Sequence, residues 1–309
     1  MPDIVVMFFL LGLIAGVVKS DLEVPKAAYD VLSLLLMLTI GLKGGMALYG
    51  AMGWHLVPEL FGIACLGFLI PAMLYPILRK VIKLNLADSI SFSAHYGSVS
   101  AGTFAVALSY AESQSLVMGG QETLYLVLLE LPAILFGLIL FNKLSPQKKQ
   151  SSYTHIVHET FTNRSVILLI GGVIIGSLYG PIQGASVTDL YTTAFKGLLA
   201  LFLLEMGLVA ATALSQISFD KWRIVLFSLL MPPLLAFLGI QVGSLIGLPN
   251  GSILILACLT ASASYIAAPV AIRAAIPQAD IGLVMLASLG LTFPFNVLIG
   301  IPMYHSWIN

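Results

Sequence analysis

Two stretches hold much of the polar chemistry of an otherwise oily chain: SAHYGSVSAGTFAVAL at 93–108 and TASASYIAAPVAIRAA at 260–275. Each runs through small hydroxyl residues to Gly102 or Pro269 and then into a fresh apolar segment. Proline has no backbone N–H and disfavours helix in the residue before it, yet it suits a first helical turn. The pattern predicts two apolar helices that break and restart at about Gly102 and Pro269. A restarting helix presents unpaired N–H groups and the positive end of its dipole. Inside a membrane those groups must find protein, water or a ligand. Two such ends facing each other form a site for a small anion. Ser98, Ser100, Thr103, Ser262 and Ser264 would add hydroxyls to it. The plainer use of these small residues is close helix packing.

Three ionisable side chains fall inside apolar runs, where charges are costly and tend to be paired or functional. Lys43 lies two residues after Gly41 and Glu205 two before Gly207, which predicts an ion pair between them. Glu130 directly precedes Leu131–Pro132 and suits a cation ligand or a proton carrier. His95 flanks the first break, as a proton relay or as a hydrogen-bonded helix residue. His155 and His158 have the spacing of a metal pair, but no further ligand is near in sequence, and a solvated loop accounts for them. Ser98 or Ser100 with His95 would be the material of an intramembrane protease. The chain has neither G-x-S-G nor G-x-G-D, so the enzyme reading is rejected. A receptor would need an output domain, and the longest loop is about twenty residues.

The elements that must position these residues are membrane helices. Hydrophobic residues make up 59% of the 309 and charged ones 9%, with mean hydropathy +1.02. A soluble domain carries roughly a quarter charged residues, too many for this chain. The runs are long and continuous, unlike the alternating strands of a barrel. Ten spans are expected, at 4–18, 28–50, 56–78, 88–110, 121–141, 165–179, 190–214, 222–246, 251–275 and 280–304. The first reads as a span rather than a cleaved leader. Twelve of the fourteen Lys and Arg follow odd-numbered spans, which predicts a cytoplasmic 142–164 loop and both termini outside. Net charge is zero, so no nucleic-acid partner is expected. Cys65 and Cys258 sit in apolar runs as unpaired small hydrophobes.

The halves resemble each other. MLTIGLKGGMAL (37–48) matches LLEMGLVAATAL (203–214), and LLELPAILFG (128–137) matches GLTFPFNVLI (290–299), with Thr292 opposite Glu130. The two hydroxyl-rich stretches align as well. Five spans per half put the copies in opposite orientation, an inverted repeat of 1–141 and 165–309.

IGLKGGMAL, GSVSAGT, ELPA, MGL and SASYIAAPVAIRAAIPQA together resemble the cyanobacterial sodium-dependent bicarbonate transporter family, in order and across the whole membrane region. That resemblance implies an all-α, ten-helix fold with core and gate domains, assembled as a homotrimer in the plasma (bacterial inner) membrane. It implies bicarbonate at Gly97, Ser98, Val99, Ser100, Ala101, Gly102 and Thr103, and at Ser264, Tyr265, Ile266 and Ala267. Sodium would lie by Ser262 and Ser264, and no other cofactor is implied. The chain departs from the family in having Tyr265 where an aspartate is expected, with Glu130 a candidate replacement for the lost carboxylate. Its central loop is also shorter than the one that engages a PII-like regulatory protein. The function expected is sodium-coupled bicarbonate import; the alternative is a proton-coupled carrier or exporter of another small anion.

Overall fold

In the computed structural model, residues 3–51, 53–145, 162, 164–215 and 217–308 are described, and every regular element among them is helical. His155, His158 and most of the 142–164 loop lie outside the described residues. α1 (Ile4–Val17) opens on Asp3, whose carboxylate accepts from Val5 N at 3.1 Å. α2 is Lys26–Ala47. α3 (Val57–Pro76) runs on through a wider turn at Ile77–Ile82 and is stopped by Lys83 at φ 66°. α4 (Leu86–Gly97) is capped by Asn85, which accepts from Asp88 N at 2.8 Å. α5 is Ala101–Ser113 and α6 is Glu122–Leu144. In the second half come α7 (Arg164–Gln183), α8 (Ala185–Leu214), α9 (Trp222–Leu245), α10 (Asn250–Thr260) and α11 (Ala267–Ala275). α12 (Ile281–Ile308) closes the fold.

Among the described residues, seven helices are long and apolar enough to cross a membrane: α2, α3, α6, α7, α8, α9 and α12. The chain is a polytopic membrane protein. α1, at 14 residues, covers only about 21 Å, short of the ~30 Å hydrocarbon core. The stretches expected as the fourth and ninth spans are each two shorter helices: α4 with α5, and α10 with α11.

The most extensive helix contacts join α2 to α7 and α1 to α8. Both depend on glycine. Gly41 and Gly45 of α2 lie against the Leu169 and Val173 carbonyls, and Gly172 and Gly176 of α7 face them. Gly12 of α1 lies on the Leu204 carbonyl, and Gly207 of α8 lies on Phe9 O and Leu13 N. A β-carbon at any of these positions would sit inside the neighbouring backbone, so no side chain fits.

Proline leaves its own trace. Pro232 in α9 has no N–H to offer the Ser228 carbonyl, and Thr292 Oγ1 donates to that carbonyl at 2.9 Å instead. With the Thr292 proton committed, Tyr96 must be the donor in its 2.8 Å bond to Thr292. A break in one helix thus ties α9 to α12 and α12 to α4.

Candidate functional site

α4 ends at Gly97, and Gly97 packs on the ring of Pro71 in α3. Ser98 to Ser100 are non-helical, and α5 begins at Ala101 with Ser100 as its cap, its Oγ accepting from Thr103 N at 3.0 Å. In the second stretch α10 ends at Thr260, and α11 begins at Ala267. Its cap comes from Ser264, whose Oγ accepts from Ala268 N at 3.2 Å. The helices therefore restart one residue before Gly102 and two before Pro269. Pro269 becomes the third residue of α11, in the first turn, where its missing N–H costs no helical bond.

The two non-helical links cross and bond each other. Ser100 N donates to Ser262 Oγ at 2.9 Å, and Ser264 N donates to the His95 carbonyl at 2.8 Å. Ser262 Oγ in turn donates a hydrogen bond to Leu259 O at 2.8 Å. Asn296 of α12 braces the second link, donating to Ala261 O at 2.9 Å while accepting from Tyr304 at 2.7 Å.

This arrangement leaves the start of α5 under-bonded. Of the four N–H groups a helix start exposes, that of Ser100 goes to Ser262 Oγ and that of Thr103 to Ser100 Oγ, leaving Ala101 and Gly102. The buried Ser98 and Thr103 hydroxyls and the Tyr265 hydroxyl make no hydrogen bond. His95 gives Nδ1 to Ser91 O at 2.7 Å, so the ring carries its proton there, and Nε2 is a buried acceptor with no partner. An enclosed cavity beside Ala101 is lined by Ser100, Tyr265, Ile266, Val99, Met37 and Glu130 among others, with about 20 Å³ for solvent. That is room for roughly one water. A bed of free donors and spare hydroxyls in a dry interior can hold a small anion.

The residues expected to hold sodium are not gathered in that cavity. Glu130 lines it with Ser100 and Tyr265, whereas Ser262 and Ser264 spend their oxygens on backbone groups. Among the described residues no group of three or more His, Cys, Asp or Glu is placed to hold a metal ion.

The pattern of this family, the Na+-dependent bicarbonate transporter superfamily, matches residues 4–309. The chain belongs to that superfamily. No curated protein matches it. That superfamily is one of transporters rather than enzymes.

The expected Lys43–Glu205 pair is corrected by the structure. Lys43 Nζ lies 2.6 Å from Glu112 Oε1 and 4.4 Å from the Phe195 ring centre. Glu112 follows the apolar run that ends α5, so it reads in sequence as a loop acid. Lys43, Glu112, Gly120 and Glu122 line a cavity of about 310 Å³ where α2 ends. Glu205 lines a different one, of about 520 Å³, with Glu23 and Val24 where α2 begins. The 22 residues of α2, about 33 Å of helix, separate them. Sequence reasoning also passed over Asn296 and Tyr96; their one signal is a polar group inside an apolar run.

Proposed function

We propose that the protein is a secondary transporter that imports a small anion, bicarbonate first, with sodium as the coupling ion. The observation that carries this reading is the pair of helix breaks whose links bond each other and leave the Ala101 and Gly102 N–H groups unpaired beside a buried cavity. The superfamily supplies bicarbonate and sodium as the substrates.

Three further features support an inverted repeat of five helices each, with α4–α5 and α10–α11 counted as single spans. The two largest helix contacts, α1 on α8 and α2 on α7, are exchanged by that repeat. So are the contacts of α3 on α4 and α9 on α10. Gly41 and Gly207, aligned by sequence, both sit at those contacts. In this reading the broken helices belong to a core that moves against a gate built on α1, α2, α7 and α8. The positive-inside rule puts the Glu205 cavity at the cytoplasmic face of the plasma membrane and the Lys43 cavity outside. A homotrimer and a docked PII-like regulator remain expectations of the resemblance.

The test is uptake of labelled bicarbonate into liposomes under an inward sodium gradient, then with potassium in place of sodium. Sodium-dependent uptake that collapses in Ser264→Ala supports the reading; folded protein with no uptake under either gradient refutes it. A second reading, proton coupling, is favoured by Glu130, a carboxyl facing the same small cavity as the α5 start. Uptake driven by an inward proton gradient without sodium, and lost in Glu130→Gln, would select it.

A further inference from the structure

The Gly102 donor at the start of α5 is buried, and one side chain stands beside it. Tyr265 is 7% exposed, and its hydroxyl oxygen fills the space a β-carbon on Gly102 would need. It lies near Ser100 and the Gly102 N–H, without a well-directed bond to either. Phe202 and Phe293 close the rest of the space around Gly102, and Phe293 meets the Tyr265 ring edge-on at 5.7 Å and 76°. Of the three atoms nearest that space, the phenol oxygen is the polar one. It occupies ground where an anion bound at this N-terminus would put an oxygen, and the remaining space admits only about one water.

We infer that Tyr265 is a placeholder for the anion: its hydroxyl lies over the free N–H groups of α5 when the carrier is empty and is displaced when substrate binds. This inference rests on the carrier reading. It follows from a need of the transport cycle. A symporter must return without cargo, and helix donors left bare in the membrane interior would oppose that return. A tethered phenol oxygen gives those donors a weak partner, one an anion can evict because a charged acceptor bonds them more strongly. The cost is competition, since the phenol and the anion want the same place.

The test compares the wild type with Tyr265→Phe, which keeps the ring and its packing on Phe293 but removes the oxygen. Bicarbonate binding is measured by calorimetry on the purified protein. Net uptake into empty liposomes and exchange into bicarbonate-loaded liposomes are measured in parallel, with thermal melting as the check on folding. The expected result is binding tighter by about twofold, the low end of what one hydrogen bond is worth, and a fall in the ratio of net uptake to exchange. Weaker binding would make the hydroxyl a direct contact of the anion and overturn the inference. An unchanged ratio, or equal losses in both modes, would overturn it too. If the wild type exchanges no bicarbonate at all, the carrier reading fails first, and this inference with it.

Discussion

The cavities at the two ends of α2 differ in chemistry, although residues that line them align between the two halves of the sequence. Lys43, Ala47 and Gly120 at one end align with Val209, Ala213 and Gly282 at the other. At the Lys43 end, an ion pair fastens α2 to α5, and the Phe195 ring of α8 covers the ammonium. Beside it the Glu122 carboxylate accepts from Gly119 N at 2.7 Å, from Gly120 N at 3.0 Å and from Ser252, so the loop before α6 is clamped to the start of α10. At the Glu205 end, two carboxylates line a larger space with no Lys or Arg in its wall. The glycine contacts of α2 on α7 and of α1 on α8 are alike, while among the described residues the ion pair and the Glu122 clamp stand at one end of α2 and not in the wall of the Glu205 cavity.

The largest effect expected tests the shared scaffold. Gly45→Leu and Gly207→Leu each force a side chain into a neighbouring backbone, which overpacking data put at about 3 kcal/mol or more. Loss of folded protein, read by gel filtration, should be equally severe for both. If only one were disrupted, the two contacts would not be equivalent.

The next effect separates the ends. Lys43→Met leaves Glu112 without its cation in a site where the two side chains are 21% and 29% exposed. Partial exposure lowers the penalty below that of a fully buried pair, to about 2 kcal/mol. Melting should drop, and the double variant Lys43→Met with Glu112→Leu should recover most of it. In the carrier reading the single variant also raises thiol labelling of an Ala47→Cys reporter, which lines that cavity. Melting unchanged in the single variant would deny the ion pair its role as a lock.

A smaller effect belongs to the crossing itself. Ser262→Ala removes the acceptor for the buried Ser100 N–H, a loss of about 1–2 kcal/mol. Ser264→Ala removes only the Ala268 cap and should cost about 1 kcal/mol, so the order of the two melting temperatures checks the bonding. The smallest effect is at the other end: Glu205 is half-buried with no Lys or Arg in its cavity wall, so Glu205→Gln has no ion pair to break there and should shift stability by less than about 0.5 kcal/mol. A larger shift would mean that end has a fastening of its own.

Much of this was legible in the chain. Charge content and unbroken apolar runs identify a membrane protein, because hydrocarbon tolerates few charges whatever the fold. Gly102, Pro269 and the hydroxyls around them locate both helix breaks to within two residues, since those residues act on their own backbone. The halves could be aligned because Gly41 and Gly207 hold contacts that admit no side chain. The partner of Lys43 was not legible, because pairing it with Glu205 assumed that the two halves bring those residues to one depth. Glu205 instead lines the cavity where α2 begins, and Glu112, a loop acid by sequence, meets the lysine near the other end. Nor could spacing foresee Tyr265 over Gly102 or Ser262 under Ser100, partners 163 and 162 residues apart in the chain.

The sequence by itself determined the solvent this protein folds in and the places where its helices must stop, because each depends on residues acting locally or on transfer from water. The tertiary structure alone decided which charges meet, which end of α2 is fastened, and which side chain stands over the free N–H groups. Those depend on the rotation and offset of helices far apart in the chain, which the summed packing of the bundle sets.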